Sequence, residues 1–353
     1  MIRKLSNYGS PFLLVASRIS DFLLFFLLRS CQIKNTIFQL KTLGRGTFGQ
    51  VSLAKHNTTG VLYALKAQAK ANIVENKMED RVLLEKRTLI RLQSDFITAL
   101  AGCGQDKKYL YFVLDYLPGG ELYTHLGRVT SFDEKGAQFF VAQLALALDH
   151  MHSRRMVYRD LKPENVCLDA QGYIKLVDFG MAKIISFKTW TFCGTPDYLA
   201  PEIVQQKGHD RGVDYWALGV VAYELVHGVP PFCDEGGQAM KVYKKIVDGD
   251  LVFPDTFSSN LKEFCEGLMT INLGTRLGML KAGADDIKRH KWFTGFNYTQ
   301  LTSRTLESPI KLELENDEDT KYFEDIAPGG DEEVADTEWV ADLDSNEVVI
   351  ESI

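Results

Sequence analysis

Residues 159–165 read Arg-Asp-Leu-Lys-Pro-Glu-Asn, and residues 178–180 read Asp-Phe-Gly. Upstream of both, residues 44–51 read Gly-Arg-Gly-Thr-Phe-Gly-Gln-Val, and a lysine follows at position 66. Residues 200–202, Ala-Pro-Glu, come last. The glycine-rich stretch alone is a weak signal, because the same spacing occurs in dinucleotide-binding folds. The whole ordered set, at roughly one chance in twenty per specified residue, excludes coincidence and decides the fold.

The amino-terminal part of this set supplies groups that bind phosphates, as ATP-dependent phosphoryl transfer requires. Gly44, Gly46 and Gly49 let the backbone fold over phosphates and offer N–H donors where a side chain would clash. Phe48, at the tip of this loop, is expected to exclude water. Lys66, on a strand, supplies a cation for the α- and β-phosphates.

The later motifs supply the groups that act at the transferred phosphate. Asp160 is expected to accept the proton of the substrate hydroxyl, and Lys162 to neutralise the γ-phosphate. Asn165 and Asp178 carry oxygen ligands of the kind that Mg²⁺ prefers. In isolation Asp160 could cap a turn and Asp178 could be a surface acid, but both motifs together favour the functional interpretation. The sequence therefore predicts ATP and Mg²⁺ as cofactors.

Two further glutamates need partners. Glu85, in a helical stretch, is expected to orient Lys66; taken alone it would be interpreted as an exposed helix charge that pairs with a neighbouring cation. Glu202 is interpreted as a structural, buried carboxylate, because such a group needs a charged partner. Arg276 is the candidate for that partner.

Composition places the chain among ordinary globular proteins. Of its 353 residues 45% are hydrophobic and 25% charged, which is sufficient for a large core. The net charge of −7 argues against nucleic acid as a partner and is compatible with basic peptide substrates. The six scattered cysteines form no C-x-x-C pair and indicate reduced thiols in the cytoplasm rather than a disulfide framework or a zinc site.

Residues 1–37 have a different composition from the rest of the chain. Two apolar runs within residues 11–28 flank Arg18 and Asp21, and the gain from inserting the apolar residues into a bilayer about equals the cost of the two charges. The same stretch has helical phasing. A helix packed on the body, or a stretch missing from the mature protein, is therefore favoured over membrane association. A signal peptide fits poorly because no small-residue cleavage site follows.

The hydrophobic pattern changes along the chain from strands to helices, which predicts an α+β, bilobal architecture with a small β-rich lobe, a larger α-helical lobe and a cleft where they join. The predicted domains are an amino-terminal extension at 1–37, a domain at 38–293 with lobes at 38–116 and 117–293, and a tail at 294–353. The predicted elements are strands at 51–56, 61–67, 109–116 and 173–177, a hairpin turn at 57–60, and helices at 78–92, 133–152 and 215–227. The acidic tail, taken alone, is typical of an extended solvated segment.

On these motifs the chain resembles the AGC-type Ser/Thr protein kinases, in particular the cyclic-GMP-dependent kinases, with the cyclic-AMP-dependent catalytic subunits next. Residues 189–196, Thr-Trp-Thr-Phe-Cys-Gly-Thr-Pro, and residues 290–293, His-Lys-Trp-Phe, add to the resemblance, as do Lys207-Gly208-His209-Asp210 and the Trp339-containing end. The match runs from about residue 38 to 326. It implies a Ser/Thr kinase fold whose tail wraps both lobes.

The resemblance also implies the residues of the nucleotide site, with a hinge after the gatekeeper position 114. The expected ATP-binding residues are Leu43, Gly44, Arg45, Gly46, Thr47, Phe48, Gly49, Val51, Ala64, Lys66, Glu85, Leu114, Asp115, Leu117, Glu121, Cys167, Asp178 and Phe323.

Substrate recognition and activation follow from the same resemblance. Glu121, Glu164 and Glu224 match carboxylates that hold arginines upstream of the target Ser or Thr, and Thr195 is expected beside Asp160. Thr191 is the expected phosphorylation site. Its phosphate is expected to bind a clamp of three cations, Arg81, Arg159 and Lys183.

Several departures from the family pattern leave the catalytic groups in place. Cys167 stands where a larger aliphatic residue is usual, Arg81 where His is usual, and Asp197 where Glu is usual. Residues 101–104, Ala-Gly-Cys-Gly, replace a more aromatic turn. The 37 residues before the kinase motifs do not suffice for a cyclic-nucleotide-binding domain, so activity is not expected to respond to cyclic nucleotides within this chain.

The sequence thus predicts a kinase for arginine-containing protein substrates. A separate regulatory subunit and an upstream activating kinase are candidate partners. The alternative is a pseudokinase or scaffold that binds ATP without transferring phosphate. That class usually loses the lysine, the catalytic Asp or the metal-binding Asp, all of which are present here at Lys66, Asp160 and Asp178.

Overall fold

The computed structural model describes residues 36–46, 49–326 and 334–343, which divide into two compact units. The first contains the described residues up to Glu79, Leu100–Tyr116 and the described residues from Asp325 onward; the second contains Asp80–Ala99 and Leu117–Glu324. The helix and membrane interpretations of residues 11–28 lie outside the described residues. Within the described ranges, no helix combines the length and apolarity needed to cross a bilayer.

The first unit is built on one antiparallel sheet with strand order β1-β2-β3-β5-β4. Its elements are β1 (Ile37–Gly46), β2 (Gly49–His56), β3 (Leu62–Ala69), helix α1 (Lys70–Glu75), β4 (Leu100–Gln105) and β5 (Tyr109–Asp115). The predicted hairpin turn at 57–60 is confirmed, and Gly60 there has a φ of 73°, a left-handed conformation that favours glycine.

Alternation along β3 assigns the two faces of this sheet. Tyr63 and Leu65 are buried and belong to a core cluster with Ala54 of β2 and Val113 of β5. Because successive side chains in a strand point to opposite faces, Lys66 lies on the face opposite this cluster.

The sequence-based description of residues 101–104 as a turn is wrong. They lie in β4, which pairs with β5 from Leu100↔Leu114 to Gln105↔Leu110. The register shifts between Leu100 and Gly102. Two glycines in six residues lower strand propensity, and pairing with the buried strand β5 overrides that local preference.

The second unit is mainly helical. Its helices are α2 (Glu79–Arg91), α3 (Leu122–Val129), α4 (Glu134–His152), α5 (Pro201–Val204), α6 (Gly212–His227), α7 (Ala239–Asp248), α8 (Ser259–Leu268), α9 (Ala284–Lys288) and α10 (Tyr298–Thr302). Its short strands are β6 (Gly120–Glu121), β7 (Met156–Val157), β8 (Val166–Leu168), β9 (Ile174–Leu176) and β10 (Lys183–Ile184). The mixed α+β content and the helical character of the later part are as predicted.

The two central helices of this unit show why the sequence folds as it does. At the start of α4, the Asp133 side chain accepts a hydrogen bond from the Gly136 amide at 2.8 Å, which satisfies a donor that the helix itself leaves open. Helix α6 is buried along nearly its whole length, as its apolar sequence predicts, and ends at Gly228 with a φ of 96°.

The carboxy-terminal tail is only partly a solvated segment. Residues 306–326 form no helix or strand, and many of them are exposed, but Ser308, Thr320 and Tyr322 are buried. In the first unit, the Gln105 side chain exchanges two hydrogen bonds with the Ala341 backbone, at 2.7 and 2.9 Å. Specific contacts therefore fix this polar sequence, whose composition alone indicates disorder.

Candidate active site

Two residues of the predicted catalytic motifs have unusual backbone conformations. Arg159 and Asp178 have φ values of 69° and 54°, which non-glycine residues rarely adopt. Arg159 precedes Asp160, and Asp178 opens the Asp-Phe-Gly motif. Such conformations persist only where surrounding contacts enforce them, and they concentrate at functional sites.

Asp160 lies at the centre of a compact polar network. Its Oδ2 accepts a hydrogen bond from Nδ2 of Asn165 at 2.8 Å, and its Oδ1 accepts one from the Thr195 hydroxyl at 3.3 Å. Lys162 donates to the same Thr195 hydroxyl at 2.9 Å, and its Nζ is 3.9 Å from Asp160 Oδ2. Burial raises the pKa of Asp160, against the opposing effects of Lys162 and Asn165. The structure thus brings all four predicted residues together around one carboxylate.

Asn165 and Asp178, the two predicted metal ligands, are linked through the main chain. The Val177 amide donates to the Asn165 carbonyl at 3.0 Å, which joins the residue before Asp178 to Asn165. Nδ2 of Asn165 is used in donating to Asp160, so its side-chain oxygen is the group left for a cation. Asp178 is exposed and raises the pKa of Asp160, as a nearby negative charge does. This donor set of oxygens fits a hard divalent cation.

Asp214, which the sequence analysis did not identify, holds the backbone of the catalytic loop. It is fully buried in the first turn of α6, and its carboxylate accepts the amides of Tyr158 at 2.9 Å and Arg159 at 2.8 Å. His152 Nε2 lies 2.7 Å from the same carboxylate. These bonds explain how the left-handed conformation of Arg159 is maintained. Asp214 and Glu224 are the two acids in the otherwise mostly apolar sequence of α6, and an acid in a buried helix is a signal that it has hydrogen-bond donors as partners, although not of which ones.

The structure pairs Glu202 with Arg276 inside the second unit. Two hydrogen bonds of 2.7 and 3.0 Å join the guanidinium to the carboxylate, and Arg276 is fully buried. Arg276 also donates to the carbonyls of Gly212 and Thr270 at 3.0 and 2.9 Å. The pair therefore links the segment around Glu202 to the start of α6, as a satisfied bidentate interaction.

The three carboxylates predicted to bind substrate arginines influence one another. Burial raises the pKa of Glu121, and the negative charge of Glu164 adds to this effect. Burial also raises the pKa of Glu224 to about 8, with a further contribution from Glu164, although the Tyr198 hydroxyl donates to Glu224 at 2.7 Å. Oε2 of Glu164 is buried and accepts no hydrogen bond from the described residues. Like charges held this close favour a cationic ligand.

The predicted activation site and its cations lie in one region of the second unit. Thr191 is exposed, with its hydroxyl 3.5 Å from that of the buried Thr189. Arg81 donates to the Gly180 carbonyl, and Arg159 to the Met181 carbonyl at 2.8 Å.

The pKa of Cys193 indicates that the three predicted clamp cations lie within electrostatic range of one point. Burial is the main effect on the pKa of Cys193 and raises it, while Arg159, Arg81 and Lys183 each lower it. All three cations are therefore near Cys193, two residues from Thr191.

The glycine-rich segment lies in the first unit, where β1 and β2 meet. A side chain at Gly49 would place its Cβ 1.9 Å from the Ala67 carbonyl oxygen, so packing within the chain requires glycine there. At Gly44 and Gly46 an added Cβ would meet nothing within 4 Å among the described residues. Packing against those residues does not require glycine at either position, and their approach to a phosphate stays a prediction. Thr47 and Phe48, also predicted to contact ATP, lie outside the described residues.

One face of the first sheet carries most of the other predicted nucleotide residues of this unit. Lys66 pairs with Val51 across β2 and β3, and Ala64 pairs with Leu114 across β3 and β5. Directly opposed residues share a face, so these four side chains lie on the face opposite the core cluster. Leu43 is 7% exposed, and Asp115 ends β5.

The remaining predicted nucleotide residues belong to the second unit. Glu121 and Cys167 are paired across β6 and β8, and Leu117 is buried just before that strand pair. Phe323 is half-buried in the tail. Glu85 is buried in α2, so its interpretation as an exposed helix charge is wrong, whereas its pairing with Lys66 stays a prediction.

Comparisons with known proteins agree with this geometry. A family model for the protein kinase domain matches residues 38–293. The chain is 41% identical over 285 residues to the cAMP-dependent protein kinase catalytic subunit PRKX of Mus musculus. The aligned residues cover 81% of this chain and 80% of that protein. It is 45% identical over 293 residues to cGMP-dependent protein kinase 2 of Homo sapiens, covering 82% of this chain and 38% of that protein.

A third relative is the cAMP-dependent protein kinase catalytic subunit of Dictyostelium discoideum, 41% identical over 286 residues that cover 81% of this chain and 44% of the relative. The chain thus spans less than half the length of the second and third of these relatives. The chain belongs to the protein kinase family. Its relatives are cAMP- and cGMP-dependent kinases, which confirms the AGC-type resemblance, and it is a Ser/Thr protein kinase that acts on proteins.

Proposed function

We propose that the chain transfers the γ-phosphoryl group of ATP to Ser or Thr in proteins with arginine upstream of the target. The observation that carries this proposal is the network of Lys162, Asn165 and Thr195 around the buried Asp160. Asp160 orients the substrate hydroxyl and accepts its proton, and the raised pKa makes it a stronger base than an exposed aspartate. Lys162 stabilises charge on the transferred phosphoryl group.

The residues fit the use of ATP with Mg²⁺. The metal would be held by Asp178 and Asn165, and it would neutralise charge on the phosphates. Lys66 would supply a cation for the α- and β-phosphates, and Gly44 and Gly46 would leave room for the phosphate chain beside the backbone. Within the described residues no cluster of three or more His, Cys, Asp or Glu side chains could hold a metal ion. The two oxygen ligands from Asp178 and Asn165 suit Mg²⁺, because this cation usually binds few protein ligands together with waters and substrate phosphates.

Selectivity for arginine follows from the electrostatics of the carboxylates Glu121, Glu164 and Glu224. A guanidinium would stabilise the charged form of Glu224, whose pKa of about 8 otherwise favours the protonated form at neutral pH. It would also supply a donor for Oε2 of Glu164, which is buried and accepts no hydrogen bond from the part of the chain that the structure describes. Both effects favour arginine, because its planar group donates to two carboxylates at once.

Replacement of Glu164 by alanine should reduce discrimination between an arginine peptide and its alanine counterpart. Loss of a buried charge partner should cost about 2–4 kcal/mol, or roughly 30- to 1000-fold in kcat/KM for the arginine peptide. The comparison of kcat/KM for the two peptides measures this effect. Glu266→Ala on α8 is the control and should leave the ratio unchanged. If Glu164→Ala keeps the wild-type ratio, Glu164 does not bind arginine.

We also propose that phosphorylation of Thr191 activates the chain. A phosphate there carries about −1.5 to −2 charges, and Arg81, Arg159 and Lys183 supply the cations to hold it. Because Arg159 precedes Asp160 and Lys183 follows the Asp-Phe-Gly motif, the clamp would link the activation segment to both catalytic motifs. Thr195, the nearest alternative, is engaged with Asp160 and Lys162. The phosphate would be added by an upstream activating kinase or by the chain itself.

Thr191→Ala should lower kcat/KM by about ten- to hundred-fold, because hydrogen bonds to charged groups contribute about 1.5–3 kcal/mol each. Mass spectrometry of active protein should find phosphate on Thr191, and kinetic assays should be run on the same samples. Ser186→Ala, an exposed hydroxyl in the same segment, should have no effect. Full activity with Thr191 unmodified would end the proposal.

A further inference from the structure

The side chain of Tyr322, in the acidic tail, packs against helix α3 of the second unit. It is only 9% exposed. Its ring centroid is 4.9 Å from that of His125, and the Arg128 guanidinium carbon is 4.9 Å from the same centroid. Both partners come from one face of α3. A buried aromatic ring between an imidazole and a guanidinium gains both apolar burial and a cation–π interaction.

The backbone on both sides of this contact is shaped to receive the tail. Gly120 has a φ of 66°, and a Cβ there would lie 2.7 Å from the Tyr322 carbonyl oxygen. A Cβ at Gly119 would lie 2.6 Å from the Cβ of Leu168 in β8 and 2.8 Å from the Leu312 side chain, so glycine there is required first by β8. His125 Nε2 donates to the Gly119 carbonyl at 2.7 Å, which fixes the ring that Tyr322 packs on. Glycine at position 120 therefore permits the tail backbone to approach this closely.

Tyr322 also forms a hydrogen bond within the tail. Its hydroxyl accepts a hydrogen bond from the Glu313 amide at 3.1 Å, which closes a loop from Glu313 to Tyr322. Inside this loop Asp319 accepts the amides of Glu315 and Lys321, both at 2.9 Å. The Phe323 amide then donates to Thr320 at 3.0 Å. One anchored side chain therefore sets the position of the residues that come directly after it.

An anchor is needed because the tail would otherwise be repelled. Residues 313–324 contain six acidic side chains and one lysine, and they end beside Glu121. Burial is the main effect that raises the pKa of Glu121, and the charges of Glu164 and Glu324 add to it, so Glu324 lies within electrostatic range of Glu121. Like charges this close oppose docking, and the contacts of Tyr322 with His125 and Arg128 offset that repulsion.

We propose that Tyr322 is a positioning residue for the kinase reaction, which anchors the tail on α3 and Gly120 so that Phe323 and Glu324 are held for the nucleotide and the basic substrate. The proposal rests on the proposed function, because Phe323 is the tail residue assigned to ATP and Glu121 is assigned to substrate arginine. Without the anchor, each binding event must first order the tail, so the loss appears as weaker binding of both substrates.

Steady-state kinetics of Tyr322→Ala and Tyr322→Phe test this role. Tyr322→Ala should raise KM for both ATP and an arginine peptide about ten-fold, with kcat at saturation within about two-fold of wild type. Tyr322→Phe keeps the ring contacts and should restore both KM values to within about two-fold. Tyr298→Ala is the matched control, because its ring packs against Phe293 and Phe296 instead. It should lower the melting temperature without changing either KM.

Hydrogen exchange provides a readout that does not depend on activity. In Tyr322→Ala, but not in Tyr298→Ala, the amides of residues 313–324 should exchange faster, starting with Glu313. Unchanged KM values in folded Tyr322→Ala, or an equal rise in KM in Tyr298→Ala, would overturn the proposal. Inactivity of the wild-type protein would count against the proposed function instead. In that case the dissociation constant of ATP replaces KM, and unchanged ATP affinity with unchanged exchange would overturn the anchoring role.

Discussion

Replacing Asp160 by asparagine should lower kcat by about 10²–10⁴-fold, the range that a positioned general base contributes, while ATP binding is retained. The change removes the basic oxygen and conserves the shape of the side chain. The asparagine can still accept the hydrogen bond from Asn165, and its amide nitrogen can face the Thr195 hydroxyl, which is able to accept as well as donate. The folded structure should therefore survive the substitution.

The measurement is a kinetic assay of kcat together with calorimetric titration of ATP. Asp133→Asn is the matched control, because Asp133 caps α4 and asparagine caps a helix equally well. That control should keep wild-type kcat and stability. If Asp160→Asn retains more than about a tenth of wild-type kcat, Asp160 is not the base.

Arg276→Met should destabilise the protein by about 3–5 kcal/mol, because it leaves the buried carboxylate of Glu202 without its partner. The carbonyls of Gly212 and Thr270 lose their donors at the same time. For a domain of this size the melting temperature should fall by roughly 6–20 °C. Thermal and urea unfolding measure the effect.

An exposed ion pair provides the control for Arg276. Arg289 is 79% exposed at its side chain and lies 3.8 Å from Asp285, so Arg289→Met should change stability by less than about 1 kcal/mol. The double variant Glu202→Gln/Arg276→Met should recover part of the loss, since no buried charge is left unpaired. An Arg276→Met protein as stable as wild type would show that the pair contributes nothing to folding.

Most of the catalytic network could be predicted because its residues are close in sequence. Asp160, Lys162 and Asn165 lie within one seven-residue stretch, and their residue types determine their chemistry. The strands of the first unit were predictable for a similar reason, since alternation and a turn signal are local. The Glu202–Arg276 contact was within reach because a buried carboxylate demands a cation.

Features that depend on distant contacts were not predictable. The strand at residues 101–104 exists because β5 lies beside it, which its own glycines do not indicate. Asp214 binds main-chain amides, and every residue type except proline offers that donor, so no partner could be identified from the sequence. Tyr322 contacts residues almost two hundred positions earlier, and its acidic surroundings indicate a solvated segment.

The central claim is that this chain transfers phosphate rather than only binding ATP. The most direct test incubates the purified, Thr191-phosphorylated protein with ATP, Mg²⁺ and a serine peptide that carries arginines two and three residues upstream, and follows the peptide by mass spectrometry. We expect phosphoserine to form with the wild-type protein and to be lost with Asp160→Asn. Binding of ATP without any phosphopeptide would identify the chain as a pseudokinase and contradict the account.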